Sequence, residues 1–201
     1  MHRAKKLLII IILSLCFLTS SKANDIRDFQ IEGVSIGDSM LDFMDEEQIK
    51  KEIRGEYSYH YKNSVFVVIG DVFDQKVKTF ESLSVTIKPA DPKYIIYGVR
   101  GKIKYPNELK KCLEKKREVI MSVKNLFKNL KMDKVDAMKH GYDEESLVYA
   151  NEFYFPNNDQ IRIFCVNWSA KTEAKQNWSD TFNVGAMKWE LVDFINKGGM
   201  Q

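Results

Sequence analysis

Cysteine and histidine are scarce in this chain of 201 residues, at three of each. His2 sits at the extreme N-terminus, which leaves His60 and His140 in the body of the chain. Neither belongs to an H-x-x-x-H or H-E-x-x-H pattern, so the familiar zinc patterns are missing. No G-x-S-x-G surrounds a serine that either histidine could serve as base. No Cys-x-x-Cys occurs, which removes thioredoxin-type exchange, and no glycine-rich loop is present to cradle a phosphate. The residues therefore nominate no catalytic set, no metal site and no cofactor. Domain linkers, coiled-coil heptads and low-complexity tracts are also missing. The only echo is Asn-Trp-Ser at 167–169 and 177–179, too short for a repeat. Both triplets are formal glycosylation sequons, relevant only in a eukaryotic source.

What is present begins at residue 1. Arg3, Lys5 and Lys6 precede an uncharged apolar run of 12 residues, 7–18, and Ser21-Lys22-Ala23 follows with small residues at the −3 and −1 positions. That is the layout of a secretory signal peptide cleaved after Ala23. The run is shorter than the ~20 residues a spanning helix needs. Cys16 raises a lipoprotein alternative, but Leu15 stands where a lipobox needs a small residue; a retained, uncleaved anchor is the other alternative. Residues 1–23 are thus expected to be a leader, and 24–201 one domain, periplasmic or secreted. A domain of that size buries about 70% of the surface of its unfolded chain. Of the 31 basic residues, Arg3, Lys5, Lys6 and Lys22 lie in the leader, leaving 27 against 28 acidic ones. The basic pI is in part a property of that leader and is no argument for nucleic-acid binding.

In an oxidising compartment the remaining pair, Cys112 and Cys165, predicts a disulfide closing a loop worth roughly 4 kcal/mol of chain entropy. Two buried free thiols are the alternative.

Cap chemistry predicts short helices near 39–44 and 46–53. Strands are expected over 56–61, 64–69, 83–87 and 94–105, with a polar segment at 71–81. In 94–105, Val99 and Ile103 share one face; Arg100, Lys102 and Lys104 share the other, read as facing water. After Pro106, Leu109, Leu113, Lys116, Ile120, Val123, Phe127 and Leu130 recur every three or four residues, which predicts one long amphipathic helix over about 107–130. Cys112 sits on its apolar side. Residues 131–146 read as a loop. A hairpin follows over 147–155 and 160–168, turning at Pro156-Asn157-Asn158-Asp159 and carrying Cys165 beside Ile161 and Ile163. Residues 169–183 read as loop, and 187–191 as a last short strand running into a helical turn near 190–197. The expected fold is α+β: a mostly antiparallel sheet with short N-terminal helices and the long helix packed on it.

Three groups are candidates for function. Residues 24–52 hold nine acids and three bases; Asp38, Asp42 and Asp45 do not match the EF-hand spacing and are read as helix caps. Residues 100–134 hold twelve bases and four acids. Lys110, Lys111, Lys115, Lys116 and Arg117 are the candidate partner-binding residues there, toward an envelope protein or an anionic lipid surface. A solvated helix face, or docking of the acidic N-terminal segment, would account for the same charge. Trp168 and Trp178 are the candidate ligand-binding residues of an aromatic-rich C-terminal third that also contains Tyr149, Phe153, Tyr154 and Trp189. Filling a small core is the other use for such residues.

The stretch FQIEGVSIGDSMLDFMDEEQIKKEI (29–53), with YPNELKKCLEKK and IRIFCVNWS, resembles small exported proteins of marine alphaproteobacteria. The likeness spans most of the chain after the leader and matches both cysteine segments, but it implies no activity. The expectation is a periplasmic, non-enzymatic partner-binding domain held by one disulfide. A small-ligand binder using the C-terminal sheet, and an enzyme of unrecognised type, are the alternatives.

Overall fold

The computed structural model describes residues 25–70 and 78–200. The expected leader at 1–23, and most of the polar segment at 71–81, lie outside them. Among the described residues eight strands form one sheet: β1 Ser58–His60, β2 Val67–Ile69, β3 Ser82–Ile87, β4 Ile96–Lys104, β5 Lys131–Lys139, β6 Leu147–Tyr154, β7 Gln160–Asn167 and β8 Thr181–Met187. Among the described residues four α-helices accompany them: α1 Glu46–Ile53, α2 Leu109–Leu126, α3 Ala170–Gln176 and α4 Trp189–Phe194. The strand order is β1-β2-β3-β4-β8-β7-β6-β5, and every neighbouring pair is antiparallel. The fold is thus α+β with an antiparallel sheet. Each half is a helix followed by a four-stranded meander, and the last strands of the halves, β4 and β8, pair at the centre. Among the described residues no helix is long and apolar enough to cross a membrane.

The strands alternate, and the two sets of side chains have different fates. Leu83, Val85, Val99, Ile161, Ile163, Cys165, Phe182, Val184 and Ala186 are buried in one core. Helix α2 lies over β7 and β8 on this side, joined by the Cys112–Cys165 disulfide, whose Cα atoms are 6.1 Å apart across 53 residues of sequence. The N-terminal segment completes the cover. Ile26, Ile31, Val34, Ile36 and Met40 are buried there, and Gly37 N donates to the Ile96 carbonyl at 2.8 Å. The expected caps are in place: Asp45 accepts from Gln48 N at 2.8 Å to start α1, and Ser39 from Leu41 N at 3.1 Å.

Five expectations are corrected. Helix α2 ends at Leu126, not near 130: Phe127 is extended (φ −112, ψ 100) and Asn129 turns the chain at φ 74. Phe127 still packs edge-on against Phe155 at 5.0 Å, so the apolar stripe outlasts the helical backbone. The loop read at 131–146 contains β5, a polar edge strand. Its charged residues guard an open edge, and a register shift between Val135 and Met138, with Ala137 at φ 48, bends it. Residues 169–183 contain α3, capped by Ser169 and ended by left-handed Asn177, and the start of β8. Met187 ends β8, whereas Trp189 and Leu191 belong to α4. The run at 64–69 is also shorter than read, with β2 one strand from the edge.

Candidate functional site: a groove on the open sheet face

The sheet face opposite α2 carries the other alternating set, and it is not simply a wetted surface. A groove of about 1150 Å³ runs across it. Met138 to Tyr142 line it towards β5, and Leu191 to Met200 towards β4. Helix α4 is held in that position by several distinct contacts. Lys188 N donates to the Tyr97 carbonyl at 2.8 Å. The Asp159 carboxylate, from the β6–β7 turn, accepts from Trp189 N at 2.7 Å and so caps a helix distant in sequence. Glu190 pairs with Lys88. Leu191 rests over Gly98, where an added Cβ would come to 3.0 Å of its Cδ2 and 3.2 Å of Thr86 Oγ1. A larger residue there would make Leu191 or Thr86 give way, so glycine suits the close approach of the helix to β4.

The groove floor is organised by strand register. Ser84 pairs with Arg100, Arg100 with Gly185, Gly185 with Arg162, and Arg162 with Glu152. One transverse row therefore reads Ser84, Arg100, Gly185, Arg162, Glu152, and all five line the groove. Gly185 separates two arginines with no side chain between them. A Cβ there would approach the Val99 carbonyl oxygen to 2.8 Å. Glu152 lies 3.1 Å from Arg162 Nε, and its other oxygen accepts from the Tyr154 hydroxyl at 2.7 Å. That hydrogen bond to a carboxylate, with burial, pushes the Tyr154 phenol up to about 12. Arg162 also lies 5.0 Å over the Phe164 ring. Towards α4, Tyr61 is held above the ordinary phenol range by burial, which Arg100 opposes.

The histidines have structural partners. His60 Nε2 donates to the Ile53 carbonyl at 3.0 Å, because a carbonyl can only accept; Nδ1 then accepts from Ser64 at 3.2 Å. His140 Nδ1 accepts from Tyr142 N at 3.1 Å, and its ring lies 4.5 Å from that of Trp168. Burial lowers its pKa, Asp143 works against this, and Arg162 adds to it. His140 is a wall residue of the groove.

The Trp168 and Trp178 rings lie 4.7 Å apart in a tilted contact, and Tyr142 lies 5.2 Å from Trp178. They stand behind the wall: His140 and Tyr142 touch the groove and the tryptophans buttress them. On α2, Lys110, Lys111 and Arg117 are exposed and Lys115 is half-buried, with Lys111 paired to Glu108 and Lys115 to Glu118. Lys116 keeps its place in the apolar stripe and is only 5% exposed; desolvation lowers its pKa. It does not join the others on the outer face. The N-terminal acids pair locally, Asp25 with Arg27 and Glu46 with Lys50. Among the described residues no cluster of three His, Cys, Asp or Glu side chains is placed to hold a metal ion.

Arg100, Glu152, Tyr154, Arg162 and Gly185 were not singled out as a site from sequence. The signal existed in part: a hairpin turning at 156–159 pairs Tyr154 with Gln160 and hence Glu152 with Arg162. The partner strand β8 was hidden by its polar alternate positions, so the row across the sheet could not be assembled. Comparison of the chain with protein-family models, curated proteins and solved structures gave no match, so the groove is interpreted from its own chemistry.

Proposed function

We propose that this chain is an exported, non-enzymatic binding protein whose open sheet face receives a small ligand. The groove of about 1150 Å³, with one helix fixed over it and a charged row on its floor, carries this reading. Its volume lies just above the about 300–1,000 Å³ of typical small-molecule sites. The acid–base groups on it are already engaged, Glu152 by Tyr154 and Arg162, and His140 by Tyr142. Export is supported by the leader-like N-terminus, and a disulfide is the covalent tie an oxidising compartment permits.

Native mass spectrometry of the exported protein, purified without reductant, tests both parts. The expected mass is that of residues 24–201 less two hydrogens, plus a ligand that leaves on denaturation. A bare chain, with no saturable change in tryptophan fluorescence across a panel of small ligands, would remove the groove from the argument. An intact leader in the mass would remove the cleavage.

A second reading keeps a partner at α2, an envelope protein or anionic lipid, favoured by Lys110, Lys111 and Arg117 standing exposed on one helix. Its test is cosedimentation with phosphatidylglycerol vesicles. Replacing those three residues by Glu should abolish any binding, and unchanged binding would retire the patch.

A further inference from the structure

We infer that the groove takes an uncharged oligosaccharide, with one sugar ring seated against the face of Tyr142. This rests on the groove being a ligand site.

The wall towards β5 supplies the platform. Tyr142 lines the groove and is 54% exposed, yet it is held in place. Its ring lies 5.2 Å from that of Trp178, its hydroxyl accepts from Gln176 Nε2 at 2.6 Å, and its backbone N–H donates to His140 Nδ1 at 3.1 Å. Trp168 joins Trp178 to His140, so four aromatic rings form one connected series. A ring fixed in this way loses little freedom when a ligand settles on it. Space remains beside it, because a Cβ added at Gly141 would meet nothing within 4 Å. The C–H face of a sugar ring is apolar and suits the flat face of a tyrosine.

The polar side chains decide between a sugar and an amphiphile. Ser84, Gln160 and Asn196 line the groove, and none of their side chains has a hydrogen-bond partner among the described residues. Each carries a hydroxyl or an amide, which donates and accepts without charge. They are spread out. Ser84 lies on β3 and Gln160 on β7, three strand spacings apart, roughly 14 Å, and Asn196 follows α4. An amphiphile gathers its polar atoms at one end. An oligosaccharide carries hydroxyl groups along its whole length and can meet all three sites. The volume of about 1150 Å³ has room for several rings.

The charged residues of the groove call for no counter-ion. Glu152 pairs with Arg162 and Lys139 with Glu144, and Arg100 is not without a partner. An uncharged ligand leaves these contacts undisturbed, whereas an ion would have to compete with them.

The test is titration of the exported, disulfide-bonded protein with cellohexaose, maltohexaose and chitohexaose, followed by calorimetry and tryptophan fluorescence. Dodecanol and 2-naphthol are titrated beside them. At least one hexasaccharide should bind saturably at one site and change the fluorescence, since Trp178 backs the platform. Tyr142→Ala should weaken that saccharide about tenfold, whereas Tyr142→Phe, which keeps the ring, should stay within about twofold of the parent. Gly141→Leu enters open space and displaces no neighbour, so it should weaken the saccharide at an unchanged melting temperature. A hexasaccharide bound equally well by Tyr142→Ala and Gly141→Leu would overturn the platform. Saturable binding of dodecanol or 2-naphthol with no hexasaccharide bound would overturn the sugar while leaving the groove a ligand site. No binding of any probe would sink both the inference and the groove reading beneath it.

Discussion

Asp143 gathers three hydroxyl groups on a single oxygen. Ser146 Oγ and Ser169 Oγ donate to its Oδ2 at 2.6 Å and Thr172 Oγ1 at 2.7 Å, while Glu145 N donates to Oδ1 at 3.0 Å. These bonds tie the loop before β6 to the first turn of α3, beside the wall of the groove. Donors that prefer the ionised form hold the carboxyl well below its ordinary range, the Ser146 hydrogen bond first among them. The folded pKa is depressed, so the stabilisation is fully present above the unfolded value near 4 and is lost as pH falls toward the folded one. Asp143→Asn should therefore lower the melting temperature most at neutral pH. The gap to the parent should narrow as the pH is taken from about 5 towards 2. A gap independent of pH over that range would show that the ionised form is not what the three hydroxyls stabilise.

At the scale of the element, α2 is the piece whose attachment is easiest to remove. It packs on β7 and β8 through one stripe, and the Cys112–Cys165 bond crosses that interface with both sulfurs buried. The bridge closes 53 residues, for which chain entropy gives about 4 kcal/mol, less any native strain. Replacing both cysteines by serine adds the cost of two small polar groups in a dry interface. The double variant should lose at least about 3 kcal/mol in urea unfolding and should show α2 amides exchanging ahead of the central strands. Undiminished α2 protection would mean that packing alone holds the helix. The edge strand β5 illustrates the opposite balance: it is polar and bulged, and it gains its place from pairing with β6 rather than from burial.

At the scale of the whole molecule, the two meanders share a sheet and a core. Residues from Ile26 to Ala186 belong to the same buried cluster, and β4 pairs with β8 along seven positions. Neither half can leave without exposing the other's central strand. Unfolding should therefore be a single transition. Tryptophan fluorescence reports the second half, where Trp168, Trp178 and Trp189 all lie, and far-ultraviolet circular dichroism reports the whole chain. The two curves should coincide in midpoint and slope. Separated midpoints would show that the halves fold as independent units.

Much of this was legible beforehand, because it rests on local rules. Cap residues placed α1 at Glu46–Ile53, alternation placed β3, β6 and β7, and the three-and-four spacing put Cys112 and Lys116 on the inner side of α2. The cysteine pair was legible as well, since both positions fell on faces directed to the same core. What stayed hidden depends on partners distant in the chain. Strand β5 is polar because only a neighbouring strand makes it a strand. Helix α3 buries only Thr172 among its residues, so it has no apolar stripe to announce it. Strand β8 mixes core residues with Asn183 and Gly185, whose purpose appears only when β4 and β7 lie on either side. The groove follows the same logic. Sequence by itself determined α1, the strands β3, β6 and β7, the inner face of α2 and the cysteine pair, because periodicity and capping act within a few residues. Tertiary structure alone decided that Arg100, Gly185, Arg162 and Glu152 form one row and that α4 stands over it, because strand order and register are set by contacts between segments tens of residues apart.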